Sequence, residues 1–211
     1  MSTARQVVGS YHHGALREAL LTRAAEVIEA DGLEALTLRG LARDLGVSHG
    51  APNRHFRTRE ALLTALAEAG YRSAREATMA AMEAAGDDPW RRLNAMGRGY
   101  LKWAITHRTL FHVISHPDVA RFADPELRAS IADTHALVRE SVVATQEAGR
   151  YPEVDADLLT LYTHAVPLGV ALLVNQPIAQ AQGASTLPEE DLDVLVEKLI
   201  ELVVPVAGRP R

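Results

Sequence analysis

The chain has 211 residues, of which 47% are hydrophobic and 23% charged, with a formal net charge of −5 and no cysteine. These proportions fit an ordinary globular protein with one sizeable core or two smaller ones, and they exclude an intrinsically disordered chain. Without thiols there is no disulfide framework, no thiolate nucleophile and no cysteine-bound zinc or iron-sulfur centre.

Apolar residues recur at helical spacing almost throughout, with no sustained period-two alternation, so an all-α fold is predicted. Residues Met1 to His13 carry a single arginine and no apolar core of signal-peptide length, and residues 1–12 read as a flexible tail. A first helix runs from Leu16 with Leu20, Ala24, Val27 and Ile28 on one face, and Gly32 stops it. Thr37 N-caps a two-turn helix through Leu38, Leu41, Ala42 and Leu45, which Gly46 breaks. Ser48 offers another cap, and a short helix is expected to reach His55 or Phe56. Thr58 caps a longer helix to about Met82, interrupted at Gly86, Asp87 and Asp88. Pro89 suits the first turn of a helix through His107. Turns near Arg108 and Pro117 bracket a short helix with Phe111 and Ile114. A helix over Asp124–Ala148 is closed by Gly149 and Pro152. Asp155–Asn175 is apolar enough that both its sides are expected to be covered, and Pro167 predicts a kink. Gln176–Pro188 reads as a polar loop and Glu189–Ala207 as a last helix striped by Leu192, Leu195, Val196, Leu199 and Val203. No apolar run is expected to reach bilayer length, so the chain is placed in the cytoplasm with no membrane partner.

The segment Thr37-Leu-Arg-Gly-Leu-Ala-Arg-Asp-Leu-Gly-Val-Ser48, followed by His49-Gly-Ala-Pro-Asn-Arg-His-Phe56, has the spacing of a helix-turn-helix. Gly46 supplies the tight turn and Val47 fills the angle between the two helices. A helix N-terminus at Ser48 can face a phosphate while His49, Asn53, Arg54 and His55 enter the major groove. Asn pairs with adenine and Arg with guanine in bidentate fashion, or either holds phosphate. Pro52 falls in the first turn and removes at most one hydrogen bond. Net charge alone does not demand a nucleic-acid partner. Residues 1–60 hold eight Arg against seven acidic residues, and residues 61–211 hold fourteen basic against twenty acidic. The acidity therefore lies away from the helix-turn-helix.

The run Ala15–Leu63, above all Gly46-Val-Ser48, His55-Phe56 and Thr58-Arg-Glu-Ala-Leu-Leu63, resembles the DNA-binding domain of the TetR family of transcriptional regulators. Tyr11-His-His-Gly14, Leu16-Arg17 and Ala51-Pro52 resemble the branch whose C-terminal domain is named for a Trp-His-Gly motif. At the corresponding place this chain has Thr163-His-Ala-Val-Pro-Leu-Gly169, which keeps only the His. The resemblance implies an N-terminal three-helix DNA-binding domain, residues 1–60, and a C-terminal helical effector-binding and dimerisation domain, residues 61–211. It implies phosphate contacts from Thr37 and Arg59 and base reading by Ser48 to His55. Candidate DNA contacts are Thr37, Arg39, Ser48, His49, Gly50, Ala51, Asn53, Arg54, His55 and Arg59. Most family members carry Tyr where this chain has Asn53.

The partners implied are double-stranded operator DNA, a second copy joined through residues 155–175 and 189–207, and a small hydrophobic or amphipathic effector. Trp103, His107, Phe111, Phe122, Tyr162 and His164 are the candidate pocket residues, although ordinary core packing accounts for any one aromatic equally well. His112 and His116 share a helical face at metal-ligand spacing, but Pro117 follows at once and they read as surface or capping histidines, so no metal or other cofactor is expected. Phosphate-binding Gly-rich loops, His-Glu-x-x-His and nucleophile elbows are missing, and no enzyme is predicted. The expected function is a repressor released from its operator when ligand moves the helix beginning at Thr58. A helical dimeric interaction module with lost or altered DNA binding is the alternative, and an activator a further one.

Overall fold

The computed structural model describes residues 9–175 and Val194, with backbone alone for residues 9–14. These described residues form eight α-helices and two short 3-10 turns, with no strand. The expected all-α architecture is therefore present. Apart from Val194, the expected loop Gln176–Pro188 and final helix Glu189–Ala207 lie outside the described residues, as do residues 1–8 of the expected tail.

Helix α1 (Gly9–Asp31) begins upstream of Leu16, taking in part of the expected tail. It buries Leu20, Ala24 and Ile28, and a 3-10 turn at Leu33–Ala35 tucks Leu33 into the same core. Helix α2 (Leu38–Asp44) opens at Thr37, whose Oγ1 accepts the Gly40 N–H at 3.1 Å. Two bonds close it: Val47 N–H to the Ala42 carbonyl at 3.0 Å, and Gly46 N–H to the Arg43 carbonyl at 3.1 Å. This is the Schellman arrangement, which requires positive φ at its glycine; Gly46 has φ 66°.

The expected helix from Ser48 to His55 is not an α-helix. Residues 49–51 turn, and Pro52–Arg54 form a single 3-10 turn. With Ser48 as cap, the first α-helical bond would run from the N–H of residue 52 to the Ser48 carbonyl, and Pro52 has no N–H. Ala51 N–H takes that carbonyl instead at 2.9 Å, while His55 and Phe56 N–H both bond the Pro52 carbonyl at 2.9 Å. Gly50, a poor helix former, weakens the α-helical option further. Ser48 thus contributes its carbonyl to the turn, and Ala51 occupies the cap position with no side-chain bond.

Helix α3 (Arg59–Ala84) starts at Thr58, whose Oγ1 accepts the Ala61 N–H at 3.1 Å. Asp88 caps α4 (Pro89–Thr106), and α5 (Arg108–Ile114) follows after the single residue His107. A further helix, α6 (Pro117–Phe122), was not legible as one. Its proline occupies the first turn, where no N–H is needed, and His116 Nδ1 accepts the Asp118 N–H at 3.3 Å. Asp124 caps α7 (Pro125–Glu147), and α8 (Ala156–Asn175) runs on through Pro167.

Within the single chain α8 leaves Leu158, Leu161 and Leu173 60%, 65% and 61% exposed. One expectation about it is corrected: by length and composition it is apolar enough to cross a membrane, since Asp157 is its one formally charged residue. In the fold it packs against α4 and α7.

Leu20, Leu41, Phe56 and Leu62 share one core with Val113, Val119 and Leu127 from α5, α6 and α7. Each fully buried leucine there stabilises the fold by roughly 1.5–3 kcal/mol. The expected boundary at residue 60 falls in the first turn of α3, whose early residues Leu62, Leu63 and Leu66 pack into this shared core. Farther along, α3 lies close against α4 at Gly99, where a Cβ would sit 3.0 Å from the Ala77 carbonyl oxygen.

Candidate functional site

Two features carry candidate residues: a recess on the helix-turn-helix and a half-open cavity in the second half. The recess is bordered by Thr37, Leu38, Arg39, His49, Gly50, Asn53 and Arg59. Six of the ten candidate DNA contacts therefore meet at one place. Ser48 and Arg54 are exposed beside it, whereas Ala51 and His55 are half-buried.

Thr37 uses one lone pair of its hydroxyl as the α2 cap and keeps its O–H for an outside acceptor. Arg59 is more committed than the resemblance implies. Its Nε donates to the Leu36 carbonyl at 3.1 Å and its Nη2 to the Leu33 carbonyl at 2.7 Å. It thereby ties the start of α3 to the strand-like link before α2, with Glu34 3.8 Å away. Two of the five N–H groups of the guanidinium are spent internally. Sequence offered no signal for this, because the two carbonyls lie 23 and 26 residues away.

Two other arginines hold α2 and the 3-10 turn in place. Arg23 of α1 reaches Asp44 at the end of α2, with Nε and Nη2 both 3.1 Å from Oδ2, and Nη1 lies 2.7 Å from Glu26 Oε2. Bonding to Glu26 and then Asp44 raises the Arg23 pKa, so its charge is permanent. The Arg17 guanidinium stands 5.4 Å over the Phe56 ring, joining α1 to the end of the 3-10 turn. Asn53 is exposed on the turn itself. Its amide retains both donor and acceptor functions for a base edge or a phosphate.

A half-open cavity of about 340 Å³ lies among α3, α4, α7, α8 and the C-terminal end of α5. Met96, Ile114, Val138 and Leu172 give it apolar walls, and Tyr71, Tyr100, Ser115, His135 and His164 supply polar points. Burial pushes the Tyr71 and Tyr100 phenols above their ordinary range, so both are neutral donors. His164 Nδ1 lies 3.2 Å from the Thr160 carbonyl, and its ring centroid is 4.4 Å from that of His135. Burial lowers the His164 pKa, and nearby His135 lowers it further against the opposing pull of the Thr160 carbonyl.

Of the six candidate pocket residues, only His164 lines this cavity. Trp103 and Phe111 are 2% exposed and belong to the core behind it. Trp103 donates from Nε1 to Ser73 Oγ at 3.0 Å and stacks on His107 at 5.8 Å. Phe111 meets Tyr100 edge-on at 6.5 Å. Phe122 and Tyr162 are 43% and 41% exposed at other surfaces. Large aromatics gain most from full burial, which favours a place in the core over lining a void. His112 and His116 lie with ring centroids 6.2 Å apart, and His116 serves as the α6 cap.

Residues 20–66 match the sequence model of the tetR family of bacterial regulatory proteins. Over 53 residues the chain is 49% identical to the tetracycline repressor protein class C of Escherichia coli, covering 25% of this chain. The matching part spans about a quarter, 24%, of that relative's length. A solved protein of unknown function from Rhodococcus sp. RHA1 is 33% identical, with 92% of this chain and 96% of the other covered at a TM-score of 0.71. A regulatory protein in the tetR family from Rhodococcus RHA1 shares the fold, at 24% identity, 92% and 98% coverage and a TM-score of 0.69. A Thr-capped α2, a glycine turn and a Thr-capped α3 lie within the residues that match the tetR family of bacterial regulatory proteins, so the chain carries an N-terminal segment of that family on a helical body whose fold is shared with a tetR-family protein.

Proposed function

We propose that the chain is a cytoplasmic, DNA-binding transcriptional repressor that works as a homodimer and leaves its operator when a small apolar or amphipathic effector fills the cavity. The observation that carries this reading is the gathering of Thr37, Arg39, His49, Asn53 and Arg59 at one exposed recess beside a rigidly capped turn. Cations, an amide and the N–H groups at the start of α2 gathered at one surface suit a phosphate track flanking a groove. The domain division at residue 60 is functional in this view, because the two parts share a core.

Helix α5 supports the link between cavity and DNA. Ile114 and Ser115 border the cavity, while Val113 is buried in the core with Leu20 and Leu41. A ligand that displaces Ile114 acts on the same short helix that holds Val113. Gly70 of α3 makes this contact tight, since a Cβ there would lie 2.7 Å from Ile114 Cγ2. Ligand binding then shifts α3 and α5 together and changes the separation of two reading turns across a dimer. The exposed leucines of α8 support a second copy as the partner, with residues 155–175 and 189–207 forming the contact.

The test is a fluorescence-anisotropy titration of the full chain against DNA from its own upstream region at two salt concentrations. Specific binding that weakens steeply with salt is expected, because phosphate contacts release counterions. A folded dimer with no sequence preference at either salt would instead favour the interaction-module reading, which the 3-10 geometry at Pro52 and the amide of Asn53 support.

A further inference from the structure

We propose that the cavity takes an amphipathic monoanion, an apolar body seated between the helices with a carboxylate at the mouth, where the Arg75 guanidinium receives it. This rests on the reading of the cavity as the effector site and specifies its ligand class.

The chain as a whole is acidic, with 27 Asp and Glu against 22 Lys and Arg. The cavity wall reverses that balance: among the described residues Arg75 is its one formally charged member, and no Asp or Glu borders it. Arg75 also has no hydrogen bond, ion pair or ring contact among the described residues. Elsewhere Arg23 and Arg139 are each held by a carboxylate and Arg59 by two carbonyls. Arg75 stands one turn after Tyr71 on α3, and Ala74 and Thr78 complete the stripe that this helix turns towards the cavity. A cation and a phenol are thereby neighbours on one wall.

Tyr100 of α4 adds a second phenol to the lining. Burial first, and then the nearby Tyr71 phenol, raise the Tyr100 pKa, and burial raises that of Tyr71, so both keep their protons. Neither phenol has a hydrogen-bond partner among the described residues, and neither oxygen is sealed from solvent. Ser115 Oγ and His164 Nε2, by contrast, are sealed and take no part in ligand contact. The groups on offer are a guanidinium fork and two O–H donors, and all of them call for an acceptor.

A carboxylate answers the planar fork in bidentate fashion. An ammonium group would meet Arg75 with like charge and find no counter-ion on the described wall. A neutral molecule would fill the apolar part, beside Met96, Ile131, Val138 and Leu172, and leave the guanidinium unused. The half-open shape lowers the cost of the anion. Because Arg75 is exposed, the carboxylate keeps water at the mouth while only the apolar body is withdrawn from it. A volume of about 340 Å³ lies at the lower end of the range for small-molecule sites and suits a compact fused-ring body.

The experiment is isothermal titration of the full chain at neutral pH with three probes of one skeleton: 2-naphthoate, 2-naphthamide and (2-naphthyl)methylammonium. Naphthoate should bind tightest, by about fivefold over the amide, a modest factor because solvent screens Arg75, and the ammonium weakest. Added salt should narrow that preference. Arg75→Gln should bind the amide as the parent does and lose the preference for naphthoate, while Arg75→Lys should keep part of it. Arg72→Gln alters an exposed arginine of α3 outside the cavity wall and should leave the preference intact. Unchanged melting of Arg75→Gln excludes a folding defect. Equal affinity for naphthoate and amide, a preference that survives in Arg75→Gln, or tightest binding of the ammonium would each overturn the anion assignment while leaving the cavity a ligand site. If none of the three probes binds, the effector reading falls together with the assignment.

Discussion

The recess on the helix-turn-helix and the cavity among the long helices are built in opposite ways. The recess draws its groups from a short stretch, Thr37 to Arg59, and displays them on turns whose geometry is set by caps, a glycine and a proline a few residues away. The cavity draws on five helices spread from Tyr71 to Leu172, and no two neighbouring helices in the chain suffice to outline it. One site is fixed by local backbone chemistry, the other by how long helices happen to pack. Between them lies a single apolar core, so the contrast in construction is not a division into independent folding units.

Leu41→Ala tests that last point with the largest effect. Leu41 is 1% exposed in the shared core, and its truncation should cost about 2–5 kcal/mol. Urea unfolding followed at the N-terminal segment and by the fluorescence of Trp90 and Trp103 should shift together in this variant. A variant in which only the N-terminal signal moves would separate the two regions.

Arg54→Ala should leave unfolding unchanged, because Arg54 is exposed on the turn. Operator affinity should fall by roughly 1–3 kcal/mol if the guanidinium reads a base, with specificity relaxed at one position. A smaller loss that is uniform across sequences, with a shallower salt slope, would assign Arg54 to a phosphate.

The smallest effect is a pH dependence confined to the cavity. The His164 pKa is lowered in the fold, so the unfolded chain binds its proton first as pH falls below about 6.5. The stability that neutral His164 contributes is complete above that pH and declines as pH drops through the folded value. His164→Phe removes this component, and its unfolding free energy should decline less than that of the parent between neutral and mildly acidic pH. His112, whose pKa burial also lowers, supplies the same background in both proteins. Parallel curves would show that the His164 ring is not desolvated as the structure has it.

The same contrast governs what could be read before any coordinates. Thr37, Gly46 and Thr58 were legible because caps and positive-φ turns are decided within three or four residues. Pro52 was seen to cost one bond, but not that the lost bond is the one that would open the helix, so a 3-10 turn stands where an α-helix was expected. The internal duties of Arg59 and Arg23 depend on chain segments brought together only by folding. Cavity lining was the least legible. His164 was singled out with five aromatics, and those five went to the core or the surface instead, while Ser115, Tyr71 and Tyr100 gave no periodic signal.

The turn at Pro52 has a consequence for how this protein can change. Its shape is held by backbone bonds from Ala51, His55 and Phe56, by a buried proline and by the Arg17–Phe56 contact, none of which involves the exposed side chains of His49, Asn53 or Arg54. Exchanges at those three positions should alter stability by no more than about 0.5 kcal/mol in either direction. Whatever surface the turn meets, its preference can drift by single substitutions while the scaffold stays intact, which makes it the most evolvable segment among the described residues.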